Sequence, residues 1–390
     1  MRSKRLAQLP PYLFVEIDRL RESYLRSGRG ILDLGIGDPD LGAPQELVDA
    51  LVRALSNSSH HRYPPSRGSI RLIDAVRSWA MRYHGAALDR DEVLVTIGSK
   101  EAIAHLPLAI VDPGDAVLIP DPGYPVYCSS AGFAGASCVR MPLDEEADFK
   151  PRFSDIAPDD LALARLMFLN YPNNPTAAVA DREFYLEAIE FCRSHRLALA
   201  SDAAYSEIWY EEPTVPVFPL AREAEIPYVE FFSFSKTFSA TGWRVGYAVG
   251  TKEIIASLSQ LKNNIDSGVF GAIQEAVAET MERHYEGIMS RIRDVYRERR
   301  DELAAHLERS GLSFAVPRAT FYFWIRTPRG MGSMEFCRLL LEECGIVATP
   351  GIGFGEKGEG FFRLSITAAT ETVREAGRRI EALGGRLGVR

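Results

Sequence analysis

Cysteine is scarce in this chain of 390 residues, with five in all: Cys128, Cys138, Cys192, Cys337 and Cys344. They are scattered, odd in number and never spaced C-x-x-C, which speaks against a disulfide framework and against a zinc site. Cys192 shares a helical segment with His195, but two ligands without others nearby do not make a metal centre, so they read as a structural cysteine beside a surface histidine. No apolar run reaches the roughly eighteen residues a membrane-spanning helix requires. The start, MRSKRLAQLPPYLF, is basic but has no apolar stretch and is interrupted by Pro10-Pro11, so it is not expected to act as a secretory signal. Positive charge is not in excess either. A net charge of -8 and a pI near 5.6 argue against nucleic acid or a membrane as partner and favour a soluble cytoplasmic protein.

What is present is an ordinary globular composition, 46% hydrophobic and 25% charged. The length exceeds that of a single core, which predicts two domains or one large domain with a satellite. Short apolar runs, Val93–Ile97, Ala116–Ile119, Leu166–Leu169, Leu197–Ala200, Val229–Phe232 and Tyr247–Val249, are strand candidates. Between several of them lie stretches of helical periodicity such as Arg182–His195. That alternation predicts an α/β fold with a mainly parallel sheet covered on both faces. From about Asn263 the pattern changes to a long helical stretch, roughly Gly271 to Leu307. It leads into a smaller α/β part with strands near Ser313–Val316, Phe321–Ile325 and Phe361–Ser365. No internal repeat or low-complexity linker is visible. Ligands of open α/β sheets sit at the carboxyl ends of strands, so the polar clusters that follow the runs are the places to look for chemistry.

Lysine is rare too: Lys4, Lys100, Lys150, Lys236, Lys252, Lys262 and Lys357 are all there are. Lys236 stands alone between Lys150 and Lys252, in Ser233-Phe234-Ser235-Lys236-Thr237, just after Val229–Phe232. A strand-end lysine between hydroxyls is a poor structural choice and a good amine nucleophile, because burial lowers its pKa and frees the neutral amine to form a Schiff base. Taken alone it reads more readily as a surface lysine. Eight residues on comes Arg244, in Thr241-Gly242-Trp243-Arg244. Hydroxyls and a guanidinium at that spacing suit an aldehyde cofactor that also bears a phosphate. Gly98-Ser99-Lys100-Glu101 follows the first strand and would offer helix N-terminal N–H groups to the same phosphate. By itself it is an ordinary helix cap.

Asp202, in Ser201-Asp202-Ala203-Ala204-Tyr205, is a carboxylate at the end of a buried strand, costly unless paired. A protonated ring nitrogen is such a partner, and the pairing would keep the ring an electron sink. Tyr205 and Asn174, the latter in Asn173-Asn174-Pro175-Thr176, are placed to reach a phenolic oxygen. Tyr124, in Asp121-Pro122-Gly123-Tyr124-Pro125, offers an aromatic face. Each has a bland alternative, since Asn-Pro is a common turn and Tyr after Gly is often core. The ordered series G-S-K, P-G-Y-P, N-N-P-T, D-A-A-Y, S-x-S-K and R is not bland.

That series resembles the class I/II aminotransferases of pyridoxal-phosphate (PLP) fold type I, from about Leu9 to about Thr367. The resemblance implies a large domain with a mainly parallel seven-stranded sheet between helices plus a smaller α/β domain. It divides the chain into an N-terminal segment (1–45) joining the small domain, a large PLP-binding domain (46–285) and a small C-terminal domain (286–390). It further implies PLP as cofactor, an amino acid and a 2-oxo acid as substrates, and a homodimer with the active site at the interface. Lys236 would carry the cofactor, Asp202 would pair the ring nitrogen, and Asn174 and Tyr205 would bind the phenolic oxygen. Tyr124 would stack on the ring, and Ser99, Lys100, Ser233, Ser235 and Arg244 would surround the phosphate, with Tyr63 reaching it from the partner. Arg363, in Phe362-Arg363-Leu364-Ser365, would take the substrate carboxylate. No metal is implied.

Within the family the phrases LPPYLFVEIDR, DLGIGDPDL, IGSKEAIAHLPLA, NYPNNPTAAVA, DAAYSEI and TPGIGFGEKGEGFFRLS are most similar to the branch that acts on LL-diaminopimelate. There Tyr12, Gly37 and Lys100 would contact substrate, with Ser267 contributed by the other subunit. Two departures stand out. One branch has asparagine where Ser267 aligns. The loop Tyr63-Pro64-Pro65-Ser66-Arg67-Gly68 carries Ser66 and Arg67 where relatives often place a carboxylate, near the substrate's distal ammonium. An arginine there would repel the ammonium and attract a distal carboxylate, and diaminopimelate carries both.

The rival readings are weaker. An aminotransferase for another amino acid, or a PLP lyase or racemase, would use the same Lys236–Asp202 core. Only transamination requires an aminated cofactor. A regulator with an aminotransferase-like domain would need a DNA-binding domain, and the residues before Leu32 are too few and insufficiently basic. Gly351-x-Gly353-x-Gly355 comes too late, and with the wrong spacing, for a dinucleotide fingerprint.

Overall fold

The computed structural model describes Leu6 and residues 30–387. Its strands, in chain order, are β1 (Leu32–Asp33), β2 (Val93–Thr96), β3 (Ala116–Asp121), β4 (Ser137–Pro142), β5 (Ala164–Asn170), β6 (Ala198–Asp202), β7 (Tyr228–Ser233), β8 (Gly246–Gly250), β9 (Tyr322–Arg326), β10 (Ile346–Val347), β11 (Thr349–Pro350) and β12 (Phe361–Ser365). Seven of them form one sheet in the order β2-β8-β7-β6-β5-β3-β4. Only β8 runs against its neighbours, pairing antiparallel with β2 and β7. The α/β class and the mainly parallel seven-stranded sheet are as expected.

Alternate residues of the sheet feed two separate cores. On β3, Ala116 and Leu118 enter one and Val117 and Ile119 the other; on β2, Val93 and Val95 oppose Leu94. Both faces are therefore dry, which is why these strands read as unbroken apolar runs. The edge strand β4 went unforeseen. Only Met141 of its six residues is buried, and Ser137, Arg140 and Pro142 break any apolar pattern.

The second part of the molecule pairs β11-β12-β9 antiparallel and β1 with β10 in parallel, joining residues near 32 to residues near 346. The strand expected at Ser313–Val316 is not there. Phe314 makes a single bridge to Ile325, and Pro317, which has no N–H, cannot extend the pairing. The long helical stretch is two helices, Gly271–Arg283 and Tyr285–Ser310. They break at His284, beyond which the Tyr285 oxygen accepts a hydrogen bond from Trp79 Nε1 at 2.9 Å. A further correction concerns cysteine: Cys128 and Cys138 form a disulfide, with Cα atoms 5.5 Å apart. The helix Arg182–His195 is as expected. No described helix is long and apolar enough to cross a membrane, and no described group of His, Cys, Asp or Glu has the makings of a metal site.

Candidate active site

The carboxyl ends of β2, β3, β5, β6 and β7 lie along one rim of the sheet, and each is followed by a residue singled out above. Thr96 leads to Ser99, Asp121 to Tyr124, Asn170 to Asn174, Asp202 to Tyr205, and Ser233 to Lys236. Because β8 is antiparallel, its amino end reaches the same rim. Gly246 pairs with both Thr96 and Ser233, and so brings Arg244 alongside. Gly37, Ser99, Lys100, Tyr124, Asn174, Asp202, Tyr205, Ser233, Ser235, Lys236, Arg244 and Arg363 all line one cavity of about 320 Å³. A roomier cleft of about 440 Å³, beside Lys150, Asp181 and Trp324, lies away from these strand ends.

Lys236 Nζ donates to the Gly37 carbonyl at 2.9 Å and lies 5.5 Å from the centre of the Phe321 ring. Burial pushes its pKa down to about 8; Asp38 opposes that shift, and the cations Arg363 and Arg244 reinforce it. Asp202, 5% exposed, accepts from Tyr127 Oη at 2.7 Å and from the Ala204 N–H at 3.2 Å. Burial raises its pKa to about 6. Among the described residues it forms no ion pair, so a cationic group in the cavity would supply the charge it lacks.

A pH experiment follows. The neutral amine of Lys236 prevails above about pH 8, so apoenzyme should take up an aldehyde ligand covalently with a rate that rises through about pH 8. Stopped-flow absorbance would show this, and a midpoint near the ordinary lysine value would contradict it. The linked effect on stability has a definite sign. The unfolded chain holds this proton more tightly, so stability gains from Lys236 as pH rises from about 8 towards the unfolded value.

Arg363 is 2% exposed and crosses between the two parts of the fold. It donates to Asn174 Oδ1 at 2.6 Å and to the Gly35 carbonyl at 2.8 Å, and its guanidinium lies 4.2 Å from the centre of the Tyr322 ring. The hydroxyls of Tyr205 and Tyr322 are 3.0 Å apart. Gly37 must be glycine, because a Cβ there would fall 2.0 Å from Tyr322 Oη. Tyr127 and Tyr322 are the residues sequence reasoning missed. Both sit inside apolar surroundings where a tyrosine looks like core. The only available signal was the spacing of Tyr127, one helical turn beyond Tyr124.

An anion could be held in the cradle where the helix Ser99–Ile110, whose first N–H groups are unsatisfied by the helix itself, meets Ser233, Ser235 and Arg244. Arg244, in the left-handed region at φ 52, donates to Ser235 Oγ at 3.3 Å and to the Thr241 carbonyl at 2.7 Å. Gly98 lets it approach, since a Cβ there would stand 2.5 Å from Arg244 Nη2. These residues fit a phosphate, as Asp202 and Lys236 fit a cationic ring and an aldehyde. The cavity does not include Tyr63, which is 89% exposed, or the exposed Ser267. Tyr12 lies outside the described residues.

Fold and rim together define a class, the PLP enzymes of fold type I. Comparison with known proteins narrows it. The model of the family "Aminotransferase class I and II" matches residues 29–380. The chain is 45% identical over 382 residues to an LL-diaminopimelate aminotransferase of Aquifex aeolicus, covering 98% of each, and 44% identical to one of Moorella thermoacetica, covering 99% of each. Among solved structures it resembles substrate-bound BacF from Bacillus subtilis, with TM-score 0.93, 34% identity and 98% of each chain covered. It also resembles a double mutant of Thermus thermophilus aspartate aminotransferase, with TM-score 0.91 and 28% identity, covering 98% of this chain and 100% of that one. The chain belongs to the class I and II aminotransferases, enzymes whose cofactor is PLP.

Proposed function

We propose that this aminotransferase exchanges the amino group of LL-2,6-diaminopimelate with 2-oxoglutarate in a ping-pong cycle that serves lysine and cell-wall precursor synthesis, as a cytoplasmic homodimer. The observation that carries the chemistry is the convergence of Lys236, Asp202 and Arg363 on one cavity. Bound PLP supplies an aldehyde to capture amines and a cationic ring to draw electrons from the substrate's Cα. With PLP bound, Lys236 would hold its aldehyde and serve as general acid and base for the proton on the substrate's Cα. Asp202 would pair the ring nitrogen, Asn174 and Tyr205 would hold the phenolic oxygen, and Tyr124 would stack on the ring. Ser99, Lys100, Ser233, Ser235 and Arg244 surround the phosphate. Arg363 receives the α-carboxylate of either substrate, and Tyr12, Gly37 and Lys100 contact the remainder.

The dimer has support in the surface. Tyr63, Ile70 and Ile265 are 89%, 59% and 53% exposed, and Gly268 packs against Pro64 and Pro65, which brings the Tyr63 loop beside Ser267. An interface there would deliver Tyr63 to the partner's phosphate and Ser267 to the partner's substrate. The pairing of β1 with β10 supports residues 1–45 completing the small domain (286–390), with 46–285 holding the cofactor.

Two observations favour the diaminopimelate reading. The full-length similarity to enzymes of that name is one. The other removes the objection from Arg67, whose Nε donates to the Val93 carbonyl at 3.2 Å. That contact ties its guanidinium to β2 of its own protomer, which supports Ser66, and not a free arginine, as the residue that meets the substrate's distal end. The test is to add single amino acids to the holoenzyme, without 2-oxo acid, and follow the cofactor's absorbance. Amination by LL-diaminopimelate and glutamate, and not by meso-diaminopimelate, aspartate, lysine or alanine, is the expected result. An inert LL-diaminopimelate would overturn the substrate assignment and leave the aminotransferase in place.

A further inference from the structure

Lys262 lies outside the cavity and is 1% exposed. Its ammonium is held by both Glu101 oxygens at 3.0 Å each and by Asp266 Oδ1 at 2.7 Å. A buried cation needs such company, and the two carboxylates it recruits belong to different functional segments. Glu101 stands in the first turn of the helix Ser99–Ile110 that follows β2. It also accepts the Ile97 N–H, so it fixes the backbone that presents the N–H groups of Ser99 and Lys100 to the anion cradle. Asp266 Oδ1 in turn accepts the Gly268 N–H at 2.7 Å and so sets the path of the chain through Ser267. A Cβ on Gly268 would lie 3.3 Å from Pro64 and 3.4 Å from the Pro65 carbonyl, so that segment packs against the Tyr63 loop.

We propose that Lys262 is a positioning residue that couples the phosphate cradle of its own protomer to the Asp266–Gly268 segment completing the partner's site. The proposal rests on the homodimer reading above. Its consequence is that losing this one ammonium disturbs both sites, whereas losing either carboxylate disturbs only the site that carboxylate supports. Each branch of the hub has its own readout: Glu101 acts on PLP affinity, Asp266 acts on the KM of the amino donor, and Lys262 acts on both.

The test uses the full-length enzyme and two measurements, titration of apoenzyme with PLP by absorbance and steady-state kinetics with LL-diaminopimelate. Lys262→Met should weaken PLP binding and raise the donor KM, each about tenfold. Glu101→Gln should weaken PLP binding with the donor KM held within about twofold, and Asp266→Asn should do the reverse. A merely structural role would instead move affinity, KM and melting temperature in parallel in all three variants, and that result overturns the coupling. So does a Lys262→Met enzyme that keeps both constants. Should Lys262→Met fail to fold, the split between Glu101→Gln and Asp266→Asn decides. A wild type that takes up no PLP sinks the functional reading itself. A wild type that takes it up, with variants moving in parallel, sinks the coupling alone.

Discussion

Lys236→Ala is expected to abolish turnover, lowering kcat by at least about 10⁴-fold, the upper range for loss of a general acid–base group. The loss should be chemical, since among the described residues Lys236 makes only one hydrogen bond, to the Gly37 carbonyl, and a distant contact with the Phe321 ring. Removing a cation whose pKa is already depressed by burial relieves a desolvation cost, so the variant should melt no lower than wild type. Among the described residues, neither Tyr205 nor Asp202 can take over the proton. Burial drives the Tyr205 hydroxyl far above its ordinary pKa, so it stays protonated, and Asp202 is bound by Tyr127 and Ala204. The anion cradle is untouched, so the variant should still bind PLP, more weakly, without the absorbance of the lysine-bound form. Absorbance titration and steady-state turnover on the same preparation test both halves. Appreciable activity in Lys236→Ala would defeat the proposed mechanism.

How much of this could be read from the chain depends on where each residue sits. The inner strands were visible because both faces are buried, which turns them into apolar runs ended by polar residues; Leu166–Leu169 and the Asn173-Asn174 cluster after it illustrate this. The same rule hid β4, half solvated and carrying Arg140, and with it the closeness of Cys128 to Cys138, which β4 brings beside the helix Val126–Ala134. Pairs as short as β1 with β10 leave no periodicity to detect. In the site, residues whose chemistry conflicts with burial announced themselves: Asp202 at a strand end, Lys236 among hydroxyls, Arg363 between phenylalanine and leucine. Tyr127 and Tyr322 did not, because an aromatic ring in an apolar stretch satisfies the core and the chemistry alike. The course of Arg67 could not be anticipated either. Sequence shows a charge in the loop, and only the fold shows that the guanidinium turns back to the Val93 carbonyl.

Arg363→Ala should act on binding where Lys236→Ala acts on chemistry. The guanidinium is 2% exposed, held by Asn174 Oδ1 and the Gly35 carbonyl, and lies 4.2 Å from the Tyr322 ring centre and 4.8 Å from that of Phe354. A fork held in place this way loses little freedom when it meets a carboxylate, which makes the charged hydrogen bonds it forms worth most of their strength. Losing them should cost about 2–4 kcal/mol of substrate binding, roughly 30- to 700-fold in KM. Arg363→Lys should recover little of this, because a point charge cannot replace two parallel donors. The decisive feature is symmetry between the half-reactions. Amino donor and 2-oxo acceptor share the α-carboxylate and use the cavity in turn, so both KM values must rise together, while PLP affinity, set by the cradle at Ser99, Ser235 and Arg244, stays close to wild type. A rise confined to one substrate, or none, would place carboxylate recognition elsewhere and leave Arg363 as a tie between Gly35 and Asn174.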